Sequence, residues 1–184
     1  MRGLLVSGLL LVATPAFAAD WAIEPGSSHI GFSGTQTGAP FKGEFKTYTA
    51  TISFDPAHPE GGRVKIVIDT ASAATGDPQK DEAMPGADWF AATKFPKAIF
   101  EATKFVAKGG NAYDAVGTLT IRDKTVPETL PFTLTVTGDT AHAVGRLELV
   151  RTAFGVGQGA WTSGQWVALD VGVDVDISAK KTGG

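Results

Sequence analysis

The sequence contains no cysteine, so neither a disulfide framework nor a lipid-modified cysteine is available to it. Charge is scarce and slightly negative: 19 Asp and Glu outnumber 16 Lys and Arg, and no basic stretch carries interleaved aromatic residues. This composition argues against a nucleic-acid partner. Beyond the N-terminal segment, no apolar run approaches the ~20 residues that a transmembrane helix requires, so the mature protein is expected to be soluble.

Catalytic motifs are missing as well. There is no Gly-x-Ser-x-Gly motif, and His29, His58 and His142 stand alone, without the spacing of metal ligands. The glycine-rich stretch at residues 155–159 lacks the spacing and the following helix of a dinucleotide-binding loop. We therefore predict neither a metal site nor a cofactor. One enzymatic alternative stays open, a hydrolase or lipid-modifying enzyme in which His29 or His142 works with a neighbouring carboxylate.

The first 18 residues have the pattern of a secretory signal peptide. Arg2 supplies a short positive region, residues 4–12 are apolar, and residues 16–18 form a small-x-small cleavage site. Cleavage after Ala18 would leave residues 19–184, which we expect to form a single domain. The predicted location is the periplasm or the outside of the cell.

Most of the mature sequence alternates between apolar and polar residues, which is typical of β-strands with one buried face. The clearest case is residues 167–177, where Asp170, Asp174 and Asp176 fall on the polar face; we interpret these acids as solvated rather than as a cation site. The alternation changes parity near Thr47, which predicts a bulge or a break there. The pattern predicts an all-β fold of about eight long antiparallel strands that close into a barrel.

Glycine and proline refine this prediction. Gly43, Gly117 and Gly145 fall on predicted inward faces, and we interpret them as positions that leave room for a ligand in the lumen. Pro131 interrupts an alternating run, which predicts an edge or a position whose missing N–H is outside the hydrogen-bond ladder.

One stretch, residues 74–105, does not alternate. It is rich in aromatic residues and is broken by Pro78, Pro85 and Pro96, which exclude a long helix and a central strand. Residues 79–84 could form one or two helical turns, with Asp77 as the N-cap. We expect this short helical and aromatic segment to close one end of the barrel; the alternative is a plug that only completes the core.

Five motifs follow one another along the mature chain. They are Trp21-x-Ile23-x-Pro25-x-x-Ser28-x-Ile30-x-Phe32, Phe41-x-Gly43-x-Phe45 leading to Ile52-x-Phe54-Asp55-Pro56, Asp81 followed by Ala87-Asp88-Trp89-Phe90 and Phe95-Pro96-x-Ala98-x-Phe100, Gly117-x-Leu119-Thr120-Ile121-Arg122, and Phe154-Gly155-Val156-Gly157. Together they resemble the YceI-like family over the whole mature chain. The central motif is the most specific. Asp123-Lys124 and Ala153 depart from the family pattern, in predicted turns.

The resemblance implies an extended, lipocalin-like, eight-stranded antiparallel barrel with an internal apolar channel for a polyisoprenoid or a similar amphiphile. Members are periplasmic, often homodimeric and usually not enzymes. Variants at residues 40–41, 88–90 and 155–161 resemble a branch found near membrane cytochromes of the b type, where a quinone-like ligand would be suitable. A transient contact with such a cytochrome is therefore a further expectation.

An apolar interior without a catalytic constellation indicates a binder of apolar molecules, either a carrier or a sensor, because each buried CH₂ contributes about 0.8 kcal/mol. We expect Arg122 or His29 to meet the head group of a polyisoprenoid, quinone-like or fatty ligand near the mouth. A third alternative is a structural module with a filled core that docks on a membrane cytochrome. The residues predicted to line the channel are Phe32, Phe45, Phe54, Trp89, Phe90, Phe100, Gly117, Leu119 and Phe132.

Overall fold

The computed structural model describes residues 19–182, so the expected signal peptide lies outside the described residues. These residues form one α-helix, α1 (Pro78–Ala83), and eleven strands. The strands are β1 (Asp20–Ile23), β2 (His29–Gln36), β3 (Ala39–Phe45), β4 (Tyr48–Ser53), β5 (Arg63–Asp69), β6 (Ala73–Ala74), β7 (Lys97–Gly109), β8 (Ala112–Ile121), β9 (Lys124–Thr137), β10 (Thr140–Val150) and β11 (Asp170–Thr182).

The eleven strands form eight long strands, because three of these eight are interrupted and each consists of two shorter strands. The first interrupted strand consists of β1 and β2, which both pair with β11. The second consists of β3 and β4, and the third of β5 and β6. All pairings are antiparallel, and the pairing of β1 with β11 closes the ring. The predicted eight-stranded antiparallel barrel is therefore confirmed.

The predicted change of parity near Thr47 is also confirmed. β3 ends at Phe45 and β4 begins at Tyr48, and both side chains face the core on either side of the break. The backbone N–H groups of Lys46 and Thr47 leave the ladder and donate instead to the carbonyl and the hydroxyl oxygen of Ser72. The break thus turns the strand without leaving these two donors unpaired.

The barrel wall has a seam between β9 and β10. The two strands pair only from Phe132 to Thr137 and from Thr140 to Gly145, although both continue beyond this stretch. Pro127 and Pro131 lie in the part of β9 that has no β10 partner, where their missing N–H groups break no hydrogen bond to that strand. The prediction made for Pro131 is confirmed.

The expectation that the inward glycines leave room in the lumen is wrong for Gly43 and Gly117, whereas Gly145 lines the smaller of the two cavities described below. A Cβ added at Gly117 would overlap the carbonyl oxygen of Glu101 on β7, next to a bulge in the β7–β8 pairing. One added at Gly43 would overlap the ring of Phe32, and one at Gly145 would lie 2.7 Å from the carbonyl oxygen of Pro131. All three glycines allow close approach of neighbouring groups, and at Gly43 and Gly117 the space they leave is already occupied.

Residues 75–96, called the cap segment below, cover one end of the barrel as predicted. Its helix α1 starts with Pro78, and the Asp77 carboxylate accepts hydrogen bonds from the N–H groups of Gln79 and Lys80, which confirms the predicted N-cap. On the next turn, Asp81 accepts from the N–H and hydroxyl of Thr75 and from the N–H of Gly76. Within residues 19–182, no helix is both long and apolar enough to cross a membrane.

Candidate ligand-binding site

A cavity of about 390 Å³ lies at the capped end of the barrel. Its walls come from the barrel, from the cap segment and from residues 155–168, called the glycine-rich loop below. The apolar lining residues are Phe32, Phe41, Phe45, Ile68, Ala83, Met84, Trp89, Phe90, Ala98, Leu119, Ile121, Leu149, Phe154, Val156, Trp161, Val167, Val171 and Val173. Its volume falls within the range of small-molecule sites, roughly 300–1,000 Å³.

The polar part of the lining is small and contains no acid among the described residues. It consists of Gln36, Gln79, Lys80 and Arg151. Lys80 is paired with Asp77, which lies outside the lining, so Arg151 carries the cavity's unpaired charge. The site therefore combines apolar walls with two positive groups, of which only Arg151 lacks an acidic partner among the described residues.

Arg151 is buried, being only 4% exposed, and no carboxylate among the described residues forms an ion pair with it. Its guanidinium donates hydrogen bonds to five backbone carbonyls, those of Val156, Trp161, Ser163, Val167 and Ala168. Burial lowers the pKa of this guanidinium from its ordinary value. Arginine stays charged in proteins, so the five carbonyl dipoles hold a cation in the cavity wall.

Two further contacts join the cap segment to the rest of the site. Arg122, in the β8–β9 turn, donates to the carbonyl oxygens of Ala87 and Trp89. The N–H groups of Gly157 and Gln158 donate to the carbonyl oxygen of Asp88, at 2.8 and 2.7 Å. These contacts fix the cap segment to both the barrel and the glycine-rich loop. Because its residues also line the cavity, the segment forms a cavity wall and is more than a core-filling plug.

A second, smaller cavity of about 90 Å³ occupies the other half of the lumen. On β5, β7 and β11 the lining changes from one cavity to the other between successive inward residues: Ile68 lines the larger cavity and Ile66 the smaller, and the pairs Ala98/Phe100 and Val173/Val175 divide in the same way. The buried side chains of Ile30 and Leu147 line neither cavity, although Ile30 pairs with Val175 and Leu147 with Val173. The lumen is therefore divided at this level.

The structure distributes the predicted lining residues over both cavities. The larger cavity contains Phe32, Phe45, Trp89, Phe90 and Leu119. The smaller contains Phe54, Phe100 and Phe132.

Gly117, Arg122 and His29 line neither cavity. Gly117 lies in the tight β7–β8 contact, and Arg122 uses its guanidinium on the cap segment. His29 is on the outer surface, with 66% of its side chain exposed, 3.9 Å from Glu44. A ligand contact for any of these residues stays a prediction.

The other histidines and the acids of β11 also lie outside the cavities. His142 pairs with Asp176 at 2.8 Å and Arg146 with Asp174 at 2.6 Å, on exposed side chains of the outer wall. Within the described part of the chain, no group of three His, Cys, Asp or Glu side chains converges to hold a metal ion. The hydrolase alternative therefore loses both histidines on which it depended, because neither faces the lumen.

Several site residues had no sequence signal that distinguished them. Arg151 reads as one more charged residue at a strand end, and Trp161 as part of a glycine-rich loop. Gly157 gave no such signal either, although a Cβ added there would overlap the Arg151 guanidinium. That overlap explains why glycine stands beside a buried arginine.

Comparison with known proteins agrees with this geometry. A model of the YceI-like domain matches residues 21–179. Protein YceI of Shigella flexneri is 34% identical over 142 residues, which cover 76% of this chain and 74% of that protein. The crystal structure of Burkholderia cenocepacia BcnA is 34% identical, with a TM-score of 0.83 over 86% of this chain and 99% of that one.

A more distant structure has the same fold. The polyisoprenoid binding domain from Saccharophagus degradans has a TM-score of 0.69 at 14% identity, over 89% of this chain and 99% of that one. The family match spans nearly all the described residues and includes both strands that close the barrel, β1 and β11. The chain belongs to the YceI-like family.

Proposed function

We propose that this protein binds and carries, without catalysis, a polyisoprenoid or a similar long-chain amphiphile in the larger cavity. The observation that supports this most directly is the apolar cavity of about 390 Å³ that the barrel, the cap segment and the glycine-rich loop line together. A barrel filled with its own side chains, as the structural-module alternative requires, would have no such space.

The physical basis of binding is apolar burial. Each CH₂ group that leaves water for the cavity contributes about 0.8 kcal/mol, so a chain of several isoprene units needs few polar contacts. The polyisoprenoid binding domain from Saccharophagus degradans, which shares the fold, supports the ligand class by analogy.

The polar end of the ligand would meet the few polar groups of the lining, Gln36, Gln79, Lys80 and Arg151. Prenylated quinones belong to this ligand class because they carry an isoprenoid chain. Their carbonyl oxygens would accept hydrogen bonds from these polar groups. The periplasmic location, the homodimer and the contact with a b-type cytochrome stay predictions that accompany this proposal.

Native mass spectrometry tests the proposal directly. Protein purified from cells without detergent is measured before and after organic extraction, and the extracted protein is then offered a prenyl alcohol and a prenylated quinone. We expect an adduct that extraction removes and either probe restores. An unliganded protein that takes up neither probe would overturn the proposal.

A further inference from the structure

Two segments of the chain carry no charge at all. Residues 30–41 and residues 152–169 contain no Asp, Glu, Lys, Arg or His, whereas 19% of the whole chain is charged. Uncharged stretches of this length are unremarkable inside a core, but large parts of both are exposed. Residues 37–40, 158–160 and 162–166 all face solvent.

The two segments form one surface. The N–H of Thr37 donates to the carbonyl oxygen of Trp166 at 2.8 Å, and the N–H of Ala168 donates to the carbonyl oxygen of Thr35 at 2.8 Å. A single β-bridge joins Gln36 and Val167 between these hydrogen bonds. We call residues 37–40 and 158–166 the neutral rim.

The neutral rim borders the mouth of the larger cavity. Residues in or next to the rim line the cavity. Gln36 and Phe41 flank residues 37–40, Trp161 lies within residues 158–166, and Val167 directly follows them. Trp166 itself is 49% exposed, and it is the only aromatic residue among the exposed large hydrophobic residues of the described chain.

We propose that the neutral rim docks the cavity mouth on the surface of a phospholipid bilayer, with Trp166 in the interfacial layer. Charged groups are costly to bring into that layer, and the rim has none. Tryptophan is enriched there because its ring is apolar and its indole N–H is polar. The inference rests on the proposed function, because a polyisoprenoid resides in the bilayer and would enter the cavity without crossing water.

The absence of charge on the neutral rim favours a lipid bilayer over other partners. A nucleic acid or an acidic protein would require cations, which the rim does not carry. A second copy of the chain seated on the rim would cover the mouth through which the ligand enters. A bilayer accepts a neutral, tryptophan-bearing surface and supplies the ligand at the same place.

Vesicle sedimentation tests the proposal. The mature protein is mixed with extruded phosphatidylcholine vesicles at low and high salt. We expect binding that high salt does not reduce, because no charge pair is involved. Trp166→Ser should weaken partitioning about tenfold, the effect of losing roughly 60 Å² of buried apolar surface.

Matched variants locate the surface. Val144→Ser on the outer barrel wall, at a residue that is 42% exposed, should change partitioning less than twofold. Ala39→Glu puts a charge on the rim and should weaken binding, whereas Thr133→Glu puts the same charge on the exposed outer wall and should not. Equal binding by Trp166→Ser and Val144→Ser would overturn the proposal.

Other outcomes would overturn it too. These are absence of the wild-type protein from the vesicle pellet, binding that requires anionic lipid and disappears at high salt, and a dimer that Trp166→Ser converts to a monomer. Uptake of a prenyl alcohol in vesicle-free solution is measured in parallel. Normal uptake by Trp166→Ser with loss of vesicle binding supports docking, whereas no uptake by the wild type would overturn the proposed function instead.

Discussion

The guanidinium of Arg151 lies over the indole ring of Trp89, with Cζ 5.4 Å from the ring centroid, and Trp89 in turn packs against Trp161 at the same distance between ring centroids. The three side chains come from the β10 end, the cap segment and the glycine-rich loop, so one cluster connects the three parts of the chain that enclose the larger cavity. A cation that lies over an indole face is attracted to the ring, and partial desolvation strengthens this attraction.

Replacing Arg151 should loosen this end of the barrel. Arg151→Met removes the donor for five carbonyls, and we expect a loss of about 3 kcal/mol in the free energy of unfolding, measured in urea. Arg151→Lys, with a single ammonium group, should give an intermediate loss. The control is the exposed Arg63, whose change to Met should alter stability by less than about 0.5 kcal/mol. Equal stabilities of Arg151→Met and Arg63→Met would contradict the role assigned to the guanidinium.

Filling each cavity separately tests which one holds the ligand. Ala98 lines the larger cavity and Ala143 the smaller, so Ala98→Phe and Ala143→Phe add the same volume to different places. Both changes should cost about 1–3 kcal/mol of stability through overpacking. Only Ala98→Phe should weaken binding of a prenyl probe in a fluorescence displacement assay, by roughly tenfold or more. Equal losses in both variants would show that the ligand spans the whole lumen.

The charge of the ligand's head group should matter. Arg151 is an unpaired cation in a lining without acids, so a carboxylate is attracted and an ammonium repelled. At equal chain length we expect a fatty acid to displace a bound probe at a concentration roughly tenfold below that of a fatty amine, with the alcohol between them. Equal displacement by the amine and the acid would contradict this view of the cavity wall.

The contribution of the cap segment to the stability of the fold should decrease in acid. Hydrogen bonds from the backbone N–H and the hydroxyl of Thr75 hold the pKa of the Asp81 carboxyl below its ordinary value of 3.8. A lowered pKa in the folded state stabilises it above pH 3.8, and this contribution disappears as the pH falls through the folded-state pKa. Asp81→Asn should therefore be less stable than the wild type at pH 7.

The same comparison in strong acid completes the test. The difference between Asp81→Asn and the wild type should disappear well below pH 3.8, when the wild-type carboxyl is also neutral. Urea unfolding at several pH values measures both variants, and Glu82→Gln, an exposed neighbour on α1, is the matched control. A stability difference that persists unchanged into acid would assign the effect to packing rather than to charge.

Local patterns in the sequence predicted the features that depend on neighbouring residues. The alternation with a period of two predicted the strands, and the parity change predicted the break between Phe45 and Tyr48. The Asp77-Pro78 pair predicted the start of α1, because capping involves only the first helical turn. The prolines and aromatic residues of the cap segment predicted an irregular piece that must bury its rings.

Other features depended on which residues meet across the barrel, and no local pattern contains that information. The stagger of the strands divides the inward residues between two cavities and separates Phe45 from Phe54. Gly117 was predicted to leave space in the lumen. Because β7 approaches β8 closely there, Gly117 is instead a point of contact between the two strands.

The sequence by itself determined the barrel and its cap, because a strand's inward face and a helix's first turn are set within a few residues of the chain. Only the tertiary structure decided where the larger cavity lies, and that Arg151 is the unpaired positive group in its wall. The physical reason is that the five carbonyls, spread over residues 156–168, meet this guanidinium only after the glycine-rich loop has folded back onto it.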